Sequence, residues 1–233
     1  MSRFAKQTVW VLAVAALCAG CGASNRAAEG QKARFSARVD NPWFPLRPGT
    51  VARYRGVKEG QPSLDVVKVT ERTRRIQGAP CVAVDDELYL RGRLAERTTD
   101  WYSQDGRGNV WYFGEKTAEL DRAGKVTSTE GSWLAGRDGA RAGIFMAARP
   151  RVGQSFRQEY LKGHAEDHFQ VLALATRVSV PYIRTAKALL TKEWTPLEPD
   201  VLDHKYYVRG IGTVLEQAVR GPKETLRLIS FRR

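Results

Sequence analysis

The segment His164-Ala165-Glu166-Asp167-His168 sets two imidazoles four residues apart with carboxylates between them, and Asp203-His204 supplies the third histidine of the chain. On a helix, two residues four apart share a face and could hold one zinc ion, which needs three or four converging N, S or O ligands. On a strand the same two residues share a face but stand about 13 Å apart at 3.3 Å per residue, too far for one ion. The metalloprotease pattern places Glu directly after the first His, and Ala165 stands there instead. Gly163 before the segment and Phe169-Gln170-Val171-Leu172 after it favour a turn that leads into a strand. His164, His168 and His204 therefore carry a metal-dependent or hydrolytic reading only as an alternative, and no cofactor is expected.

Carboxylates offer a second chemistry. Asp85-Asp86-Glu87, Glu159 with Glu166, and Asp100 with Glu115 could each serve glycoside hydrolysis if held about 5 to 9 Å apart, but spacing along the chain does not place them. There is no G-x-S-x-G elbow, no P-loop and no dinucleotide fingerprint after a strand. Cys81 lies in the apolar run Pro80-Cys81-Val82-Ala83-Val84 with no histidine close in sequence, and reads as a buried small hydrophobe. The stretch from Thr98 to Glu115 reads as a hairpin around Asp105-Gly106-Arg107-Gly108-Asn109, with the glycines and Asn109 supplying positive φ. It brings Trp101 and Tyr102 across from Tyr112 and Trp111. These four aromatics are either the wall of a lipid or sugar pocket or the packing of a core hairpin.

The elements that must position these residues follow from the 233-residue chain itself, long enough for one large domain. Its first residues say where it goes. Arg3 and Lys6 precede an apolar run, Thr8 to Leu17, which is too short to span a bilayer and reads as a secretory signal. Leu17-Cys18-Ala19-Gly20-Cys21 resembles the lipobox of bacterial lipoproteins, although Cys18 stands where an aliphatic residue is usual. The resemblance implies lipidation at Cys21 and attachment to a membrane outside the cytoplasm or at the cell surface; cleavage after Ala23 would instead give a secreted soluble protein. Residues 1–20 then form the signal, 21–37 the lipidated Cys and a small, polar tether, and 38–233 a single domain whose only thiol is Cys81.

Short alternating runs rich in Val, Tyr, Trp, Leu and Thr, cut by Gly, Pro, Asp and Asn, fill that domain. About a dozen strands with turns every 8 to 15 residues predict an all-β protein: one antiparallel, strongly curved sheet or a β-barrel-like domain. Few short helices are expected, with Ala140 to Ala148 and Thr185 to Leu190 holding the best helix formers. Gly136 to Gly143 reads as a long loop over one end of the sheet. With 38 Lys and Arg against 25 Asp and Glu the chain carries +13, of which Arg3 and Lys6 contribute 2, leaving +11 after the signal. Export argues against nucleic acid as partner, so a lipid or an anionic envelope polymer is expected beside a basic face. The sequence leaves the oligomeric state open.

Four strings, Asn41-Pro42-Trp43-Phe44-Pro45-Leu46-Arg47-Pro48-Gly49-Thr50, the hairpin from Asp100 to Glu115, Glu130-Gly131-Ser132-Trp133, and Lys192-Glu193-Trp194-Thr195-Pro196-Leu197-Glu198-Pro199, resemble a family of exported bacterial lipoproteins. That resemblance implies a single domain behind an export signal and supplies no activity, substrate or catalytic residue. The expectation is a non-catalytic envelope binding module for an apolar or anionic ligand.

Overall fold

The computed structural model describes residues 34–233, and every regular element among them is a β-strand. The signal sequence, Cys21 and most of the tether lie outside the described residues. After a two-residue strand β1 (Phe35–Ser36), a meander of long hairpins runs through β2 (Val51–Lys58), β3 (Gln61–Ile76), β4 (Ala79–Leu90), β5 (Arg93–Asp105) and β6 (Val110–Leu120). Three connections use the backbone that a two-residue hairpin requires, with both central residues at positive φ: Glu59-Gly60, Gln77-Gly78 and Arg91-Gly92. In the Asp105 to Asn109 loop only Gly108 takes positive φ. Asp105 holds that loop instead, its carboxylate accepting from the Arg107 and Asn109 backbone N–H groups and from the Trp111 indole.

Beyond β6 come the short strands β7 (Val126–Ser128) and β8 (Trp133–Leu134), both paired to β6, and then β9 (Arg141–Met146), β10 (Ser155–Arg157) and β11 (Glu159–Tyr160). A second meander follows: β12 (His168–Ser179), β13 (Arg184–Trp194), β14 (Leu202–Val208), β15 (Gly212–Arg220) and β16 (Thr225–Arg232). β16 pairs with β2, so the last strand lies beside the first long one. The two open ends of this path meet in one short segment. β10 pairs β12, and β11, separated from β10 by Gln158 alone, pairs β9. All pairings are antiparallel, and the result is a nearly closed barrel-like sheet.

The all-β expectation therefore holds, but the few short helices do not appear among the described residues. Arg141–Met146 and Arg184–Trp194, which cover the two alanine-rich stretches, are both strands because their neighbours supply ladder partners and a buried face. Within Gly136 to Gly143 the expected loop shrinks to a turn, closed by Gly136 N–H donating to Ala140 C=O, and the rest enters β9. Phe35 and Ser36, read as tether, pair with Asp105 and Gln104.

One end of the sheet is filled by the Asn41 to Thr50 segment. Asn41, only 2% exposed, is its lock: its Nδ2 donates to Gly108 C=O and Ala147 C=O, while its Oδ1 accepts from the Trp43 and Phe44 N–H groups. Trp43 is buried beneath the Arg209 guanidinium, 4.3 Å from its ring centre. Phe44 joins Tyr102, Tyr112 and Phe145 in an aromatic cluster with ring centres 4.6 to 5.8 Å apart. Such burial is the main stabilising contribution of a domain that has no disulfide among its described residues.

Closure leaves no room at the seam. A Cβ on Gly143 would collide with the Arg157 carbonyl oxygen and approach the Gln158 carbonyl to 2.6 Å. Gly143→Ala should lower the unfolding free energy by about 1–3 kcal/mol, the range for overpacking. Urea denaturation would measure it, and an unchanged midpoint would show that the seam yields freely.

Candidate functional site

Alternation along the strands divides the charged residues between two faces. On β3, Ser63, Asp65, Val67 and Val69 point one way; opposite them across the β3–β4 ladder stand Leu90, Leu88, Asp86 and Val84. The row continues on β5 with Glu96, Thr98 and Asp100, and on β6 with Glu119, Thr117 and Glu115. Apart from Glu119, which is exposed near the end of β6, these are the inward positions, and many carry carboxylates. Their outward neighbours include Arg72, which pairs with Asp85 on the exposed face.

A cavity of about 180 Å³ lies between this wall and the Asn41 to Thr50 segment. Phe44, Leu46, Val67, Val69, Phe145, Ile211 and Phe231 give it an apolar side, and Asp65, Asp86, Asp100, Glu216, Tyr54 and Tyr102 a polar one. Asp65 is 8% exposed, and its Oδ1 has no hydrogen-bond partner; the same is true of Asp86 Oδ1. Asp65 and Asp86 are diagonal neighbours across the ladder, since Val67 faces Asp86 and Asp65 faces Leu88. Burial, and then the Asp86 charge, push the Asp65 carboxyl up to about 7. Burial, and then Glu96, push Asp86 up to about 6. Burial works to lower the Lys58 ammonium, but Glu96, Glu224, Asp65 and Glu216 more than offset it and hold it above the ordinary lysine value.

Further round the sheet the acids are better served. Glu193 accepts from the Tyr207 hydroxyl at 2.9 Å and from Thr191 at 3.2 Å, and Lys205 lies 2.9 Å from its other oxygen. Lys205 also reaches Glu216 at 3.5 Å. Glu159 accepts from the Trp133 indole at 2.7 Å, yet burial and the neighbouring Asp167 raise it above the usual carboxylate range. Asp100 and Glu115 face each other directly across β5 and β6; burial raises both, Glu115 to about 8, and the Tyr112 hydroxyl donates to Asp100.

The expected site residues fall in several places. Tyr102 lines the cavity and stacks on Tyr112, its cross-strand partner, at 4.8 Å. Trp101 stands opposite Gly114 because a bulge falls between it and Tyr102, and it carries the Arg74 guanidinium over its ring. Trp111 packs against Phe35 and donates to Asp105, away from the cavity lining. The hairpin is thus largely core, with one of its four aromatics at the cavity. His164 sits in the turn before β12, His168 stacks on Trp194, and His204 faces Lys192 on β13. His204 alternates with the inward Lys205, so it belongs to the outer face. Among the described residues no three His, Cys, Asp or Glu are grouped to hold a metal ion. Cys81 is fully buried, and burial pushes its thiol up to about 12.

Asp86 could be named in the sequence only as one of the run Asp85-Asp86-Glu87, and Asp65 and Glu216 escaped notice, because a carboxylate on a strand looks alike on either face. The one available signal was that Asp65 shares its alternation with Ser63, Val67 and Val69, the set that closes under the plug formed by the Asn41 to Thr50 segment.

No family model matches the sequence, and no curated protein matches it. Among solved structures the fold is similar to the crystal structure of a candidate lipoprotein from Parabacteroides distasonis ATCC 8503, with a TM-score of 0.44, 11% identity, and coverage of 82% of this chain and 99% of that one.

The raised carboxyls fix a pH dependence. In the unfolded chain Asp65 ionises near 3.8, in the folded protein near 7. Between these values the folded state holds more protons, so stability falls as pH rises, and the loss is complete above about 7. Asp86 acts in the same sense, with its loss complete above about 6. The urea midpoint should be lower at pH 8 than at pH 5, and Asp65→Asn should restore about 2 kcal/mol at pH 8 while flattening the profile. A profile unaltered by the substitution would remove Asp65 as its source.

Proposed function

We propose that the chain is an envelope lipoprotein, anchored through Cys21, that binds a small molecule inside its barrel without transforming it. The observation that carries this reading is the cavity between plug and sheet, apolar on one side and lined on the other by acids, two of which, Asp65 and Asp86, each keep an oxygen without a partner. Binding sites of small molecules have this composition: mostly apolar walls with a few converging polar groups. The signal-like first residues, the lipobox-like Ala19-Gly20-Cys21 and the motif strings that resemble exported bacterial lipoproteins support the location.

Inward placement of many acids leaves the outer face more basic than the net +13 suggests. Exposed Arg72, Arg74 and Arg75 on β3 belong to it. A basic exterior suits a protein held against anionic lipid headgroups or wall polymers, while the cavity takes a ligand with an apolar body. Two acyl chains or more hold a domain firmly where one gives only marginal binding.

Native mass spectrometry of the protein released from bacterial envelopes in gentle detergent should show acyl mass on Cys21 and a co-purifying small molecule. Cys21→Ala should move the protein from the membrane to the soluble fraction. A mature chain that begins at Ser24 without acyl mass would replace the anchor with plain secretion.

A further inference from the structure

We propose that the cavity ligand is a small organic cation, an ammonium- or guanidinium-bearing molecule with an apolar body, whose charged end sits between Asp65 and Asp86. This deepens the binding reading above and rests on it.

The two carboxylates reach the cavity from adjacent strands, each with an oxygen that no group of the protein satisfies. A buried acceptor without a donor is rare in folded proteins and calls for a partner from outside. The charge around it decides the sign of that partner. Glu96 on β5 and Glu216 on β15 act on both acids and Glu87 on Asp86, Asp100 on β5 lines the same cavity, and Tyr54 on β2 contributes a neutral hydroxyl already donating to Thr213 C=O at 3.0 Å. On the positive side stand Lys205, committed to Glu193 and Glu216, and Lys58, shared among Glu96, Glu224, Asp65 and Glu216. The balance is negative, so an anionic ligand is repelled, and a neutral apolar one would bury the unpaired oxygens further without supplying a donor.

Size and donor set distinguish an organic cation from a metal. The cavity, about 180 Å³, exceeds the roughly 150 Å³ that accommodates a benzene ring, and Phe44 and Phe145 form its apolar side. A calcium ion would want six or more converging oxygens and a zinc ion three or four N, S or O ligands, and no three His, Cys, Asp or Glu are grouped to hold an ion among the described residues. An ammonium over two carboxylates, with its body against aromatic rings, uses both halves of the lining.

Three probes of matched shape test this on the folded mature protein by calorimetry and ligand-observed NMR: phenethylamine, 2-phenylethanol and 3-phenylpropionate. At pH 8 the amine should bind at least tenfold more tightly than the alcohol, and the acid least. Lowering the pH to 5, where Asp65 and Asp86 are largely protonated, should weaken the amine tenfold or more and leave the alcohol unchanged. Asp65→Asn and Asp86→Asn should each reproduce that selective loss, with the circular dichroism of the variants confirming the fold. Equal binding of amine and alcohol, insensitive to pH and to both substitutions, would overturn the cation and leave an apolar binding site. Preference for the acid would overturn it as well. Failure of all three probes would overturn the cation together with the binding reading.

Discussion

Carboxylates turned into the interior of a sheet are the constraint around which this molecule is organised. A carboxylate taken out of water must be protonated, paired or given hydrogen-bond donors, because its desolvation is otherwise among the largest unfavourable contributions a fold can carry. The chain uses each solution in a different sector. Glu193 receives Tyr207, Thr191 and Lys205; Glu159 receives the Trp133 indole; Asp100 receives Tyr112. Among the described residues, buried carboxylate oxygens stand without a partner only next to the plug, at Asp65 and Asp86. The contrast within one sheet is informative, since the same architecture that satisfies Glu193 on β13 with groups from β13 and β14 leaves acids open where a cavity exists.

The segregation of charge follows from strand geometry. Successive residues point to opposite faces, so a β-rich chain with alternating acids and bases sorts them without any further device. Lys205 and His204 on β14, or Asp86 and Asp85 on β4, are adjacent in sequence and face opposite environments. A one-residue slip in register would exchange those environments for a whole strand. The x-Gly turns at Glu59-Gly60, Gln77-Gly78 and Arg91-Gly92 prevent such a slip by fixing the loop length between β2, β3, β4 and β5, the strands that carry Asp65 and Asp86.

Much of the fold was legible because strands and turns leave local marks. The alternating runs became the strands β2 to β6, and Gly60, Gly78 and Gly92 stand in the turns that join the first four of them. Alanine content misled at Arg141–Met146 and Arg184–Trp194, where ladder partners outweigh a helix propensity worth only tenths of a kcal/mol per residue. The site was largely hidden. Asp100 and Glu115 could be named as a pair, and the register does oppose them. Asp65 could not, because Leu64, Val66 and Val67 make both faces of that run apolar enough to be the core, and the choice is made by contacts with Thr50 and the plug, far from any local signal.

The plug also ties the cavity to the N-terminal end of the described chain. Asn41 locks Trp43 and Phe44 to the Gly108 and Ala147 backbone, and Phe44 and Leu46 of the same segment form part of the cavity's apolar side. The string Asn41 to Thr50 is thus a closure whose Trp43 packs in the core while Phe44 and Leu46 also line the cavity. Phe35, where the described chain enters the sheet, lies 14 residues after Cys21; at 3.3–3.6 Å per residue the connection spans at most about 50 Å. With Cys21 lipidated, the sheet stays within that distance of the membrane. A basic exterior would strengthen the association over the last Debye length, about 8 Å at physiological ionic strength. On the proposed reading the strands stand between the inward acids and the outer face, so attraction to anionic lipid and selection of a cationic ligand would not compete.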